Sequence, residues 1–473
     1  MFLQRASVAI LIFMLHRFLH VSALIPEVCV HNVTRLNAVC CPLDPYNHQV
    51  CGGPERGFCH RIATPIEFIP HVFLMDDRLA WPLRFFSYLC QCKGNFFGIA
   101  CESCWFGWKG QHCDQKNLKI RRDIRSLPED ELNLFKDVYK RSSKWPSGFV
   151  ILDESTNLRS DPLNKPRFIH ASVQYFVAFI HRYGARPTLY KNKRDCQMYG
   201  ILNFNHDGVV FPTWHRYFQL LWEQMFAKIA YEVHHVHDYM TPYWDFVGLK
   251  NCDICTDKYV GGKGYEDEDG LHLSKHSPFS KLLDFCLEPE GDNICFGCQA
   301  AKRLPTITRK FRTNDFPNQK DVEYLLSLKH YFTPGERERE SCDSFHMALE
   351  GYCGRPEANA TFKWMHNKIH LMIDGSMCCT ATATNDPIFL LMHNFVDKLF
   401  NIWLRIYRPE KSVYPNRDVR PGHSRDSFMI GLLPLARNGD MFVDSVELGY
   451  DYDDMIIGKY AQNNLPPIVL KYH

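Results

Sequence analysis

Six histidines fall into two sets of three, His181, His206 and His215, then His366, His370 and His393. Neutral imidazole nitrogens suit copper, zinc, iron or nickel, whereas magnesium and calcium require oxygen ligands. His366 and His370 lie four residues apart, so on a helix their rings sit one turn above each other and reach one ion. Asn367 follows the first of them, where a zinc protease needs glutamate, and this removes that chemistry. The pattern predicts two metal ions with three histidines each, and redox chemistry on copper as their use.

Such ligands need rigid carriers, and the flanking sequence supplies them. From Ala171 to Tyr183, Val173, Phe176, Val177 and Ile180 recur on one helical face, with His181 beside that stripe. From Trp214 to Ile229, Phe218, Leu221, Trp222 and Met225 recur at three- and four-residue steps, which predicts a second helix with His215 in its first turn. Asp386 reads as an N-cap with Pro387 at the first helical position. Phe389, Val396, Phe400 and Trp403 then run down one face, and His393 follows Phe389 by one turn. Leu127-Pro128-Glu129-Asp130-Glu131 offers an acidic helix start after a proline.

The rest of the chain sets the context. At 473 residues and 45% hydrophobic it is long enough for one large domain and a small one. A net charge of +2 without a long basic run argues against nucleic acid or acidic lipid as a partner, so a small substrate is expected. Residues 1–23 carry Arg5 and an apolar run from Val8 to Leu15, too short to span a bilayer, and read as a signal peptide. After Trp403 no continuous apolar stretch is long enough for a membrane helix, so a soluble mature chain is expected. Twenty cysteines fit an oxidising compartment, and Asn32 and Asn359 begin glycosylation acceptor sequences.

Ten cysteines precede residue 114, among glycines and aromatics, and Cys90, Cys92, Cys101, Cys104 and Cys113 resemble an EGF- or laminin-type module. A unit of this size cannot bury enough core without disulfide staples, and its connectivity is open. The chain therefore divides into a leader, 1–23, a cysteine-rich module, 24–113, a large mainly α domain, 114–455, and a tail, 456–473. Cys252 and Cys255 read as a short structural disulfide. The pairing of the eight later cysteines is open, and free thiolates at Cys378 and Cys379 would compete for metal. His234, His235 and His237 read as a solvated helix end rather than a third metal site.

Phe211-Pro212-Thr213-Trp214-His215, Thr241-Pro242-Tyr243-Trp244-Asp245, Cys252-Asp253-Ile254-Cys255, Met365-His366-Asn367-Lys368-Ile369-His370 and Asn385-Asp386-Pro387 through His393 occur in this order. Together they resemble the chordate tyrosinase family, from about Cys29 to about Tyr452. The resemblance implies a type-3 binuclear copper site in a helical bundle, with His181, His206 and His215 on one copper ion and His366, His370 and His393 on the other. It implies ortho-hydroxylation of monophenols such as tyrosine and oxidation of o-diphenols such as L-DOPA to quinones with dioxygen, in melanin synthesis. It also implies a water held by Glu350 and Asn367 that accepts the phenol proton. The expected location is the secretory lumen, in a melanosome or outside the cell, with association with other pigment-synthesis proteins.

Some positions pull within the family. Met392, Tyr352 and Thr213 resemble the tyrosinase-related proteins, which hold zinc in the same frame and act as dopachrome isomerases or non-catalytic luminal partners. Trp222-Glu223-Gln224, Asp245, Met377 and Leu448 to Tyr452 resemble tyrosinase itself. A dioxygen carrier related to haemocyanins is a third alternative. Asn203 and Phe204 stand where a cysteine would cross-link His206, so no thioether is expected.

Overall fold

The computed structural model describes residues 24–32, 38–63, 77–152, 168–186, 202–267, 270–285, 306–333, 343–354 and 364–455. The leader, the tail, the Asn359 acceptor, and Cys196, Cys286, Cys295, Cys298 and Cys342 lie outside the described residues, as does most of the Asn32 acceptor.

Among the described residues seven α-helices carry the large domain: α1 Glu129–Ser142, α2 Val173–Ala185, α3 Val210–His234, α4 Gln319–Ser327, α5 Phe345–Glu350, α6 Met365–Ile373 and α7 Pro387–Tyr407. The mainly helical class expected from periodicity is the observed one. α1 begins directly after Pro128 with Glu129, Asp130 and Glu131 in its first turn, where carboxylates meet the positive end of the helix dipole. α2 starts two residues later than expected, because the Ser172 hydroxyl caps it by accepting the Tyr175 N–H at 3.2 Å. α7 is capped as its sequence dictates: the Asp386 carboxylate accepts the Ile388 N–H at 2.9 Å, and Pro387 occupies the first turn, where its missing N–H costs nothing.

α3 corrects the sequence reading. It begins at Val210, four residues before Trp214, and runs to His234, so His215 lies in its second turn. Pro212 falls within the first turn, a position that tolerates proline, which makes it a poor stop signal. From Val210 to Glu223 every residue is buried, so α3 is a central helix packed on all sides, against α1 and α7 among others. Trp214, Trp222, Trp244 and Trp403 are fully buried around this pair.

The α3–α7 core also buries charge. Asp397 on α7 accepts from Arg216 Nε on α3 at 2.5 Å and from Arg121 Nη1 at 3.3 Å, and Arg121 Nη2 reaches Glu223 at 3.0 Å. The Tyr450 and Tyr452 hydroxyls donate to the same Asp397 oxygen at 2.6 and 2.5 Å. Strand Lys119–Arg121 pairs in parallel with Tyr450–Tyr452, so the network ties the start and the end of the large domain to its central helices.

The cysteine-rich region is stapled by Cys29–Cys40, Cys41–Cys59, Cys51–Cys90, Cys92–Cys101 and Cys104–Cys113. Strand Phe86–Cys92 lies between Ala38–Cys40 and Gly57–Arg61, and short hairpins follow. It meets the large domain at Gly107, where a Cβ on Gly449 would stand 1.8 Å from the Gly107 Cα. Cys252–Cys255 is a disulfide, as expected. Among the described residues no helix is long and apolar enough to cross a membrane.

Candidate metal centre

The helices bring the six histidines together as two triads, and within each the candidate ligand atoms all lie within 4.8 Å of one another. His181 comes from the C-terminal half of α2, His206 from the loop just ahead of α3, and His215 from α3 itself. His366 and His370 share one face of α6, their ring centroids 4.5 Å apart, and His393 projects from α7. The triads adjoin: the rings of His215 and His393 stack with centroids 4.6 Å apart. Cys41, Cys51 and Cys90 also cluster, but disulfides occupy all of them.

Whether these groups suit a metal is decided at the other side of each ring. The Nδ1 atoms of His181, His215, His366 and His370 face the backbone carbonyls of Thr380, Phe211, Glu350 and Met377 at 2.8, 2.9, 3.2 and 2.6 Å. The His206 Nδ1 faces the Asn205 side-chain oxygen at 2.8 Å. A carbonyl only accepts, so the proton sits on Nδ1 and the Nε2 lone pair is left for an ion. The buried Nε2 atoms of His181 and His215 have no hydrogen-bond partner. In the second triad His366 Nε2 stands 2.9 Å from His370 Nε2 and 3.1 Å from His393 Nε2, a crowding of acceptor nitrogens that a cation relieves. His393 lacks a partner on Nδ1 and is fixed by packing, its ring 4.0 Å from that of Phe389.

Burial pushes all six imidazoles below the ordinary histidine range, His181 to about 3 and His370 to about 4. They are neutral at physiological pH, so protons do not compete for the lone pairs. Six nitrogens with no carboxylate among them fit copper or zinc.

A cavity of about 250 Å³ opens over the centre, with His181, His206, His366 and His370 in its floor and Asp207, Glu350, Tyr352, Asn367, Leu371 and Thr380 in its walls. Glu350 is fully buried at the end of α5. Its Oε1 accepts the Asp207 N–H at 2.7 Å, and its Oε2 has no partner. Burial, with the adjacent Asp207 charge, raises its pKa well above the usual carboxylate range. Asn367 also lines the cavity, and its side-chain oxygen lies 3.1 Å from His366 Nδ1.

Sequence reasoning missed several residues here. Asn205 orients His206 and donates to the His181 carbonyl at 3.0 Å, and Asn203 accepts the His206 N–H at 3.0 Å. An Asn-Phe-Asn-His run is a visible signal for this, an amide beside a ligand as at Asn367. Tyr352 donates its hydroxyl to Asp207, a contact between sequence-distant loops that no motif announces. His234, His235 and His237 are exposed at the end of α3, with His234 paired to Asp137 at 2.7 Å, the solvated helix end expected.

Two adjoining three-histidine clusters inside a helical bundle have the arrangement of a dinuclear metal site. The family model described as the common central domain of tyrosinase matches residues 171–406. Over 459 residues the chain is 34% identical to the tyrosinase of Bos taurus, covering 94% of this chain and 84% of that one. It is 32% identical over 461 residues to the 5,6-dihydroxyindole-2-carboxylic acid oxidase of Mus musculus, covering 92% and 83%. A polyphenol oxidase of Thermothelomyces thermophila superposes with a TM-score of 0.46 at 16% identity, over 71% of this chain and 88% of that one. The chain belongs to the tyrosinase family, and it is an oxidoreductase of that type.

Proposed function

We propose that His181, His206 and His215 hold one copper ion and that His366, His370 and His393 hold a second, and that the pair oxidises small phenols with dioxygen. The reactions are ortho-hydroxylation of monophenols such as tyrosine and oxidation of o-diphenols such as L-DOPA to quinones, in melanin synthesis. The observation that carries this reading is the pinning of Nδ1 on five of the rings, which aims neutral Nε2 lone pairs into two adjoining clusters. When bound, copper supplies the change of oxidation state and the dioxygen affinity that phenol oxidation needs.

The surrounding residues supply position and proton handling. A phenol has a pKa of about 10 and must give up its proton to react as phenolate. We assign that proton to the unpartnered Glu350 oxygen, directly or through a water also held by Asn367. A buried carboxylate whose pKa is raised is a stronger base than a solvated one, which narrows the gap to the phenol. Oε1, fixed by the Asp207 N–H, keeps the carboxyl from rotating away. The cavity's modest volume suits a single phenolic ring.

A zinc-loaded protein acting as a dopachrome isomerase or as a non-catalytic luminal partner is the second reading. Tyr352 favours it, since its hydroxyl enters the cavity wall beside Asp207. Zinc has no accessible change of oxidation state, so metal analysis with tyrosine and L-DOPA assays separates the two. Two coppers per chain with L-DOPA turnover is the expected result; two coppers with no phenol oxidation, but reversible oxygen uptake, makes it a carrier instead. The described disulfides support an oxidising secretory lumen, melanosomal or extracellular, where other pigment-synthesis proteins are candidate partners.

A further inference from the structure

Cys378 and Cys379 are free and exposed, whereas every other described cysteine is in a disulfide. Their adjacency explains why they stay open. The peptide between them is trans, since the cis bonds among the described residues lie at Pro82 and Pro434. A trans peptide sets neighbouring Cα atoms about 3.8 Å apart, below the range of about 4.4–6.8 Å over which cysteines usually bridge. Both residues line the cavity that His181, His206, His366 and His370 floor. The segment is tied to both triads, because Met377 O holds His370 at 2.6 Å and Thr380 O holds His181 at 2.8 Å.

We propose that this vicinal thiol pair is a covalent capture site for o-quinones, placed where a quinone leaving the metal centre passes it. The proposal rests on the phenol-oxidase reading, which makes the electrophile in this same cavity. The Cys379 sulfur adds to an electrophilic ring carbon of the quinone and forms a C–S bond. The thiol proton and the hydrogen displaced from that ring carbon end on the two carbonyl oxygens, giving a catechol thioether. The quinone is its own oxidant, and no other reagent is consumed. The two thiols are neighbours, and the influence of Cys378 lowers the Cys379 pKa, which raises its thiolate fraction, while Cys378 is pushed up. A catechol ring fixed between Met377 and Thr380 blocks the cavity and strains the carbonyls that orient His370 and His181, so capture ends turnover.

The test gives copper-loaded full-length protein either catechol with dioxygen or pre-formed o-benzoquinone under anaerobic conditions, with peptide mass spectrometry after each. One quinone-derived adduct on the peptide containing Cys378 and Cys379 is expected in both arms. In the protein carrying Cys378→Ser and Cys379→Ser that adduct is lost, and the turnovers completed before half the activity disappears rise severalfold. An adduct from the pre-formed quinone alone supports the capture site and overturns the phenol-oxidase reading instead. Absence of the adduct in both arms, labelling scattered over surface residues, or a native Cys378–Cys379 bridge overturns the proposal.

Discussion

The Glu350 carboxyl is anchored by one oxygen and idle at the other: Oε1 accepts the Asp207 N–H at 2.7 Å, and Oε2, equally buried, has no hydrogen-bond partner. Most buried polar atoms are paired, so an unpaired oxygen on a residue that lines the cavity makes the proton role proposed for Glu350 directly testable.

Glu350→Gln keeps the size and the acceptor for the Asp207 N–H but no longer takes a proton. Metal content is expected to be unchanged. Monophenol turnover is expected to fall about 100-fold or more, the usual scale of a lost general base. Parallel metal analysis and tyrosine assays check this, and wild-type turnover with full metal removes Glu350 from proton transfer.

His393→Ala deletes the proposed ligand whose Nδ1 has no hydrogen-bond partner and whose ring packs on Phe389. One metal ion per chain is expected in place of two, with loss of L-DOPA oxidation. Stripping the wild type with a chelator lowers Tm, since an ion present at about 1,000 times its Kd stabilises the fold by roughly 4 kcal/mol. A Tm indifferent to the chelator after verified metal removal contradicts the six-histidine assignment.

Asp397→Asn leaves Arg216 buried without its anion and Arg121 with Glu223 alone, at a cost of about 3–5 kcal/mol. Burial alone raises the Asp397 pKa, but Arg216 and then Arg121 outweigh it, and the folded value lies below the ordinary one. Its contribution is therefore complete above the unfolded value of about 4 and disappears as pH falls through the lower folded value. Urea unfolding of both proteins is expected to show the full gap at neutral pH and a narrowing gap in acid. A gap that widens in acid reverses the assignment.

Gly449 and Gly248 provide a matched pair. Both have positive φ, +78° and +73°, but a Cβ on Gly449 strikes the Gly107 Cα at 1.8 Å while one on Gly248 meets nothing within 4 Å. Gly248→Ala is expected to cost about 1–2 kcal/mol from backbone conformation alone. Gly449→Ala adds about 1–3 kcal/mol of overpacking and loosens the cysteine-rich region, visible as faster proteolysis ahead of Lys119. Equal costs for the two variants refute the interlock.

The ligand-bearing helices were legible because their signals are local. Asp386 with Pro387 marked the start of α7, and the four-residue step from His366 to His370 marked a helical face. The start of α3 was misplaced because a helix buried on every side there has no polar face to mark its limits. The supports of the metal centre were mostly illegible for a different reason: Thr380, Phe211, Glu350 and Met377 act through main-chain carbonyls, which every residue type possesses. Asn203 and Asn205 are exceptions, since their side chains do the work.

Those backbone anchors have a consequence for how the molecule can change over generations. Because four imidazoles take their orientation from peptide groups, the identities at positions 377 and 380 are free to drift without turning a ring. Preference for one aromatic compound over another can then be retuned from the loop that also steadies the catalyst, while the donor atoms stay where they are.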